Sequence, residues 1–171
     1  NLFVDNSAVL GDVAAGSIAQ FGPSRTHDVA LVGDSGALTF AHNTVVGNQS
    51  VSLIGGLAVF ADTLDVNIAS NNLWGNSGDD LVVTAEGSSQ HLYVLNNNIQ
   101  SLWLEGTTTP TISDGNINVQ PNYVDCGPGC IERVPVVDSP LVNAGFDPAS
   151  MGLSWVLPLT DASGGLRRDG P

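Results

Sequence analysis

The chain has no lysine and only four arginines, Arg25, Arg133, Arg167 and Arg168, against 17 acidic residues. A net charge of −13 without a basic cluster excludes a phosphate-binding surface, so nucleic acid is not a partner. Charged residues of both signs are scarce, at 12%. Even so, no apolar run approaches the ~20 residues that a membrane-spanning helix needs. Few charges combined with abundant glycine and asparagine therefore point to many turns and a large buried face. Helical periodicity is missing as well: no window of about 10–15 residues repeats its apolar positions at i, i+3, i+4 and i+7. Cysteine is limited to Cys126 and Cys130, in CGPGC. The Gly-Pro-Gly turn can bring the two together as a small local disulfide, which implies an oxidising compartment. The alternative is half of a metal site. Zinc would require two further ligands, and His27, His42 and His91 are scattered through the chain.

What the chain has is a repeat. Leu38–Asn48 (LTFAHNTVVGN), Val66–Asn76 (VNIASNNLWGN) and Leu92–Gln100 (LYVLNNNIQ) share one pattern. Overlaying them aligns Asn43, Asn71 and Asn97 at spacings of 28 and 26 residues. Phe40, Ile68 and Val94 then coincide, as do Val45, Leu73 and Ile99. Strand-like units recurring at a period in the twenties mark a solenoid. The pattern predicts an all-β, right-handed parallel β-helix, in which each strand bonds to its equivalent above and below. Inward positions stack like on like. Asn43, Asn71 and Asn97 are the expected structural ladder, each in a left-handed turn conformation with its amide bonded to the next. An asparagine row displayed for sugar binding is the alternative.

Residues 1–105 are read as coils, of which 1–37 are degenerate. There Leu2–Val4, Ser17–Phe21 and Val29–Val32 read as short strands, and LFVDNSAVLGD matches the repeat one residue out of register. Second strands are expected at Val51–Ile54 or Leu57–Phe60 and at Leu81–Thr84, with GNSGDD (75–80) and EGSSQ (86–90) as turns. From 106 to 171 the regularity stops and prolines accumulate at 110, 121, 128, 135, 140, 148, 158 and 171. Proline cannot donate to a central ladder. This segment is therefore expected to cap the last coil, with Trp103 and Trp155 supplying apolar cover.

Three pieces of this tail resemble the C-terminal end of bacterial right-handed parallel β-helix repeat proteins of the choice-of-anchor kind. Gln120-Pro121-Asn122-Tyr123-Val124-Asp125 resembles that family's Asp-Pro-x-Phe-Val-Asp. Ser139-Pro140-Leu141-Val142-Asn143-Ala144-Gly145 resembles Ser-Pro-x-Ile-Asp-Ala-Gly, with Asn143 in place of the usual aspartate. Thr160 to Arg168 resembles Thr-Asp-x-x-Gly-x-x-Arg. With the coils, the resemblance covers most of 38–171. It implies export and display on a cell envelope, often without catalysis, although polysaccharide lyases and pectinase-like hydrolases share the fold. The family usually continues into a short strand after the arginine. Further coils before Asn1 and a strand after Pro171 are thus expectations for a longer precursor.

Catalytic chemistry is hard to place. A β-helix lyase needs a cationic base, and 38–105 contains neither lysine nor arginine. A glycosidase needs two carboxylates held about 5–10 Å apart. Asp79-Asp80 is the one adjacent acid pair, expected in a solvated turn, with Asp62 and Asp65 as neighbours one coil earlier. Asp79 and Asp80 are also the candidate Ca²⁺ ligands; no other cofactor is indicated. His42 and His91 read as polar turn residues. Gly-x-Ser-x-Gly, His-Glu-x-x-His and phosphate-loop motifs are absent. The expected function is a non-catalytic, secreted or cell-surface scaffold or adhesive module. It would associate with itself as rods or filaments, with other surface proteins, or with glycans. The alternative is a carbohydrate-binding or carbohydrate-cleaving domain.

Overall fold

The computed structural model describes residues 2–4, 7–8, 16–18, 37–50, 54–61, 65–85, 91–105, 110–125, 127, 133–142, 144–145 and 150. The strands are β1 (Leu2–Val4), β2 (Ser7–Ala8), β3 (Gly16–Ile18), β4 (Ala37–Ala41), β5 (Thr44–Val46), β6 (Gln49–Ser50) and β7 (Ile54–Ala61). They continue with β8 (Asp65–Ala69), β9 (Asn72–Trp74), β10 (Asp79–Ala85), β11 (Leu92–Leu95), β12 (Asn98–Ile99), β13 (Leu102–Leu104) and β14 (Ile112–Asp114). Every strand-to-strand pairing among them is parallel, and no α-helix occurs among the described residues. The described part of the chain is all-β, built of stacked parallel strands.

Three sheets run side by side, in the orders β1-β5-β9-β12, β3-β7-β10-β13 and β4-β8-β11-β14, with β2-β6 as a short fourth. Each repeat contributes one strand to each sheet. Parallel neighbours so far apart in sequence need a crossover, and here the other two sheets supply it. The register sets Phe40 opposite Ile68 and Ile68 opposite Val94. Val45 faces Leu73, and Leu73 faces Ile99. These six side chains, with Leu57, Val59, Leu81 and Val83 of the second sheet, form one buried core. Burying each large apolar side chain stabilises the stack by about 1.5–3 kcal/mol relative to exposure.

The N-terminal stretch has a different register from the one expected. Leu2, Phe3 and Val4 stand opposite Thr44, Val45 and Val46. LFVDN therefore matches the second half of the repeat, TVVGN, instead of the first. Val29–Val32 lies outside the described residues, as do Asp62, His27, Cys126, Cys130, Trp155 and Thr160 to Arg168.

One expectation is corrected at the far end. Ile112–Asp114 pairs with β11, and Ile117 bridges to Asn98, so the stack continues past residue 106. The described tail then lies along the flank of the sheets. Tyr123 bridges antiparallel to Pro135, and the Tyr123 hydroxyl meets Asn72 on the outer face of the first sheet. Trp103 is 42% exposed on β13, beside the 40% exposed Leu102.

Candidate functional site

The site is built from the corner between the first and third sheets. His42, Ser70 and Asn96 adopt left-handed backbone at φ 58°, 55° and 50°, and Gly115 follows at 64°. The left-handed residue is thus the one before each ladder asparagine, not the asparagine itself. That frees the next side chain to point inward. Asn43 Nδ2 donates to Asn71 Oδ1 at 3.0 Å, Asn71 Nδ2 to Asn97 Oδ1 at 2.9 Å, and Asn97 Nδ2 to Asn116 Oδ1 at 3.0 Å. Each Oδ1 also accepts the backbone N–H of the preceding rung. The second N–H of Asn71 and of Asn97 goes to the Phe40 and Ile68 carbonyls. A buried amide costs free energy unless bonded, and here the row supplies the partners.

A second row occupies the opposite corner. Gly47 and Gly75 take left-handed φ of 70° and 67°, and Asn48 Nδ2 donates to Asn76 Oδ1 at 2.8 Å. Asn76 in turn donates to Asp80 Oδ1. Asp79 and Asp80 therefore belong to β10, and Asp80 is only 1% exposed, contrary to the solvated turn expected. The Ser101 N–H donates to Asp80 Oδ2 at 3.1 Å. Burial pushes the Asp80 carboxyl above the usual carboxylate range, and the bonds from Asn76 and Ser101 partly offset this. Both oxygens already face N–H donors, which is an acceptor's environment, and among the described residues no three His, Cys, Asp or Glu cluster as metal ligands. Asp65 is not brought to Asp80. It accepts the His91 backbone N–H at 2.8 Å and lies 3.2 Å from His91 Nδ1, on the third sheet.

On the outer face of the first sheet a third row remains. Asn98 Nδ2 donates to Asn72 Oδ1 at 2.9 Å, and Asn72 Nδ2 donates to the Tyr123 hydroxyl. Burial raises the Tyr123 phenol to about 12, with the Asn72 bond and the Arg133 guanidinium pulling the other way. The Arg133 guanidinium carbon stands 5.8 Å from the Tyr123 ring centre. Between this row, the left-handed corner and the tail at Leu141, Ala144 and Gly145 lies a cleft of about 250 Å³. Thr44, Asn72, Asn96 and Asn98 line it, with His42 at one end. The pairs Gly47-Asn48, Gly75-Asn76 and Gly115-Asn116 are a legible signal for the second row and for the last rung of the first. Nothing periodic announces Tyr123 or Leu141.

Comparison of the chain with family models, with curated proteins and with solved structures returns no match.

Proposed function

We propose that this chain is part of a right-handed parallel β-helix and serves as a non-catalytic scaffold or adhesive module, secreted or displayed on a cell surface. The observation that carries this reading is the consumption of polar side chains by the stack. Asn43, Asn71, Asn97 and Asn116, then Asn48, Asn76 and Asp80, bond to one another inside it. Buried polar rows of this kind fix register and rigidity, which a rod requires and a reaction does not. The lack of lysine and the burial of Asp80 away from Asp65 agree with a non-catalytic role. Among the described residues sheet two ends at β13 with Leu102 and Trp103 exposed, a strand edge suited to end-to-end self-association or to another surface protein. Negative-stain imaging of the purified native assembly tests this. Rods that lengthen with protein concentration, without turnover of polysaccharide, are expected. Compact monomers that depolymerise a glycan would overturn the reading.

A further inference from the structure

The cleft beside the first asparagine row presents polar side chains outward, and its chemistry is narrow. Among the described residues no carboxylate and no lysine or arginine lines it, and His42 is its one titratable side chain. Without a cation, and on a chain of net charge −13, it offers nothing to an anion. Without a carboxylate it offers little to a cation. An apolar occupant would strip water from the Thr44 hydroxyl and the Asn96 amide without replacing its hydrogen bonds, which costs free energy.

The floor is rigid. Asn72 and Asn98 are 8% and 2% exposed, and their amides are held by each other, by Tyr123 and by the Val119 backbone. Groups with unused capacity lie at the two ends. The Thr44 hydroxyl and Asn96 Oδ1 have no hydrogen-bond partner among the described residues, and Asn96 Nδ2 reaches the Ala144 carbonyl only at 3.4 Å. Thr44 and Asn96 belong to repeats two steps apart, so at ~4.8 Å per strand they stand about 10 Å apart along the stack. Leu141 and Ala144 form an apolar wall opposite. At about 250 Å³ the cleft has room for about eight waters at ~30 Å³ each, less than the ~300–1,000 Å³ of sites for drug-sized molecules.

We propose that this cleft binds a neutral, hydroxyl-rich ligand the size of one sugar ring, with its hydroxyls on Thr44 and Asn96 and its C–H face against Leu141. The proposal is independent of rod formation, because it concerns the flank and not the ends of the stack. The test is an amide-resolved NMR titration of the full chain with glucose, galactose, N-acetylglucosamine and inositol, beside galacturonate and cyclohexanol. Saturable shifts centred on Thr44, Asn96 and Asn98 with at least one neutral polyol are expected, with weaker effects from galacturonate and cyclohexanol. Thr44→Val removes the hydroxyl at constant shape, and Asn96→Gly removes the amide while keeping the left-handed backbone. Each should weaken binding about 2- to 10-fold, the worth of one hydrogen bond. The absence of shifts with every neutral polyol, shifts centred elsewhere, equal affinity in folded variants, or a preference for galacturonate or cyclohexanol would each overturn the proposal.

Discussion

One oxygen of Asp80 accepts both the backbone N–H of Asn76, at 3.1 Å, and its side-chain N–H, at 2.6 Å. An amide in a row both donates and accepts, so the row can continue through it. A carboxylate only accepts, so Asp80 ends the row that runs through Asn48 and Asn76. The second carboxylate oxygen then takes the N–H of Ser101 in the following repeat. Asp80→Ala leaves three buried or part-buried donors without an acceptor. At about 1–3 kcal/mol for an unsatisfied buried group, the loss should be on the order of 3 kcal/mol in urea unfolding. A loss below about 0.5 kcal/mol would mean that water replaces the carboxylate freely.

Acid should relieve the burial of this carboxylate. Its folded pKa is raised above the ordinary 3.8, so the folded state holds the proton to higher pH than the unfolded state does. Its contribution is therefore fully present below 3.8 and lost as pH rises through the raised folded value. Asp80→Asn removes that titration. The stability difference between wild type and Asp80→Asn should shift in favour of wild type as pH falls from 7 towards 4. A difference independent of pH would show that the carboxyl titrates alike in both states.

Spacing made the first row legible. In parallel stacking each residue sits on its counterpart, so the alignment of Phe40 with Ile68 and Val94 in the sequence is also their register in space. The same logic failed at Asp79-Asp80 for a physical reason. The repeat spacing contracts from 28 to 26 residues at the third asparagine, the second corner loses its asparagine there, and the aspartate fills the vacant rung. Gly-Ser-Asn around an acid pair looks like a solvated turn unless that contraction is followed through. Tyr123 was illegible for another reason: its partner Asn72 is 51 residues away, in a segment that runs back along the flank without periodicity.

Asn71 is the middle of its row and makes bonds in both directions. It accepts from Asn43, donates to Asn97, and holds the Phe40 carbonyl. Asn71→Ala removes all of these from a 2% exposed position, and a loss of about 3 kcal/mol or more is expected. Any ligand binding should survive in the folded fraction, because the Asn71 amide is spent inside the stack. Unchanged thermal stability together with lost binding would show instead that the amide serves a ligand.

Two glycines should respond differently to alanine. Gly55 and Gly56 form a bulge in β7 opposite the turn into β10, where the register slips between Asp79 and Leu81. A Cβ on Gly56 would stand 2.0 Å from the Asp80 carbonyl oxygen, which is backbone and cannot rotate away. Gly75 has left-handed φ of 67° but open space around it. Gly56→Ala should therefore cost about 3 kcal/mol or prevent folding, and Gly75→Ala about 1–2 kcal/mol. Gly75→Asn, which tolerates the left-handed region, should cost less than Gly75→Ala. Circular dichroism melts of the three variants would settle the order, and a harmless Gly56→Ala would contradict the close approach of β7 and β10.

Tyr123 fastens the tail to the stack, and its phenol provides a direct readout. An ordinary tyrosine ionises near 10, whereas burial moves this one to about 12. Ultraviolet titration should resolve one phenol ionising near 12, and Tyr123→Phe should delete that step. Because the folded pKa is the higher one, the contribution of the phenol is intact below pH 10 and lost between 10 and about 12. Tyr123→Phe should abolish this alkaline loss of stability. At neutral pH it should cost about 1 kcal/mol, the net worth of the hydrogen bond from Asn72. The tail should then be cleaved faster by a protease acting between Val124 and Val142, while the strands from β4 to β12 remain intact. Equal cleavage rates would show that the tail is held without Tyr123.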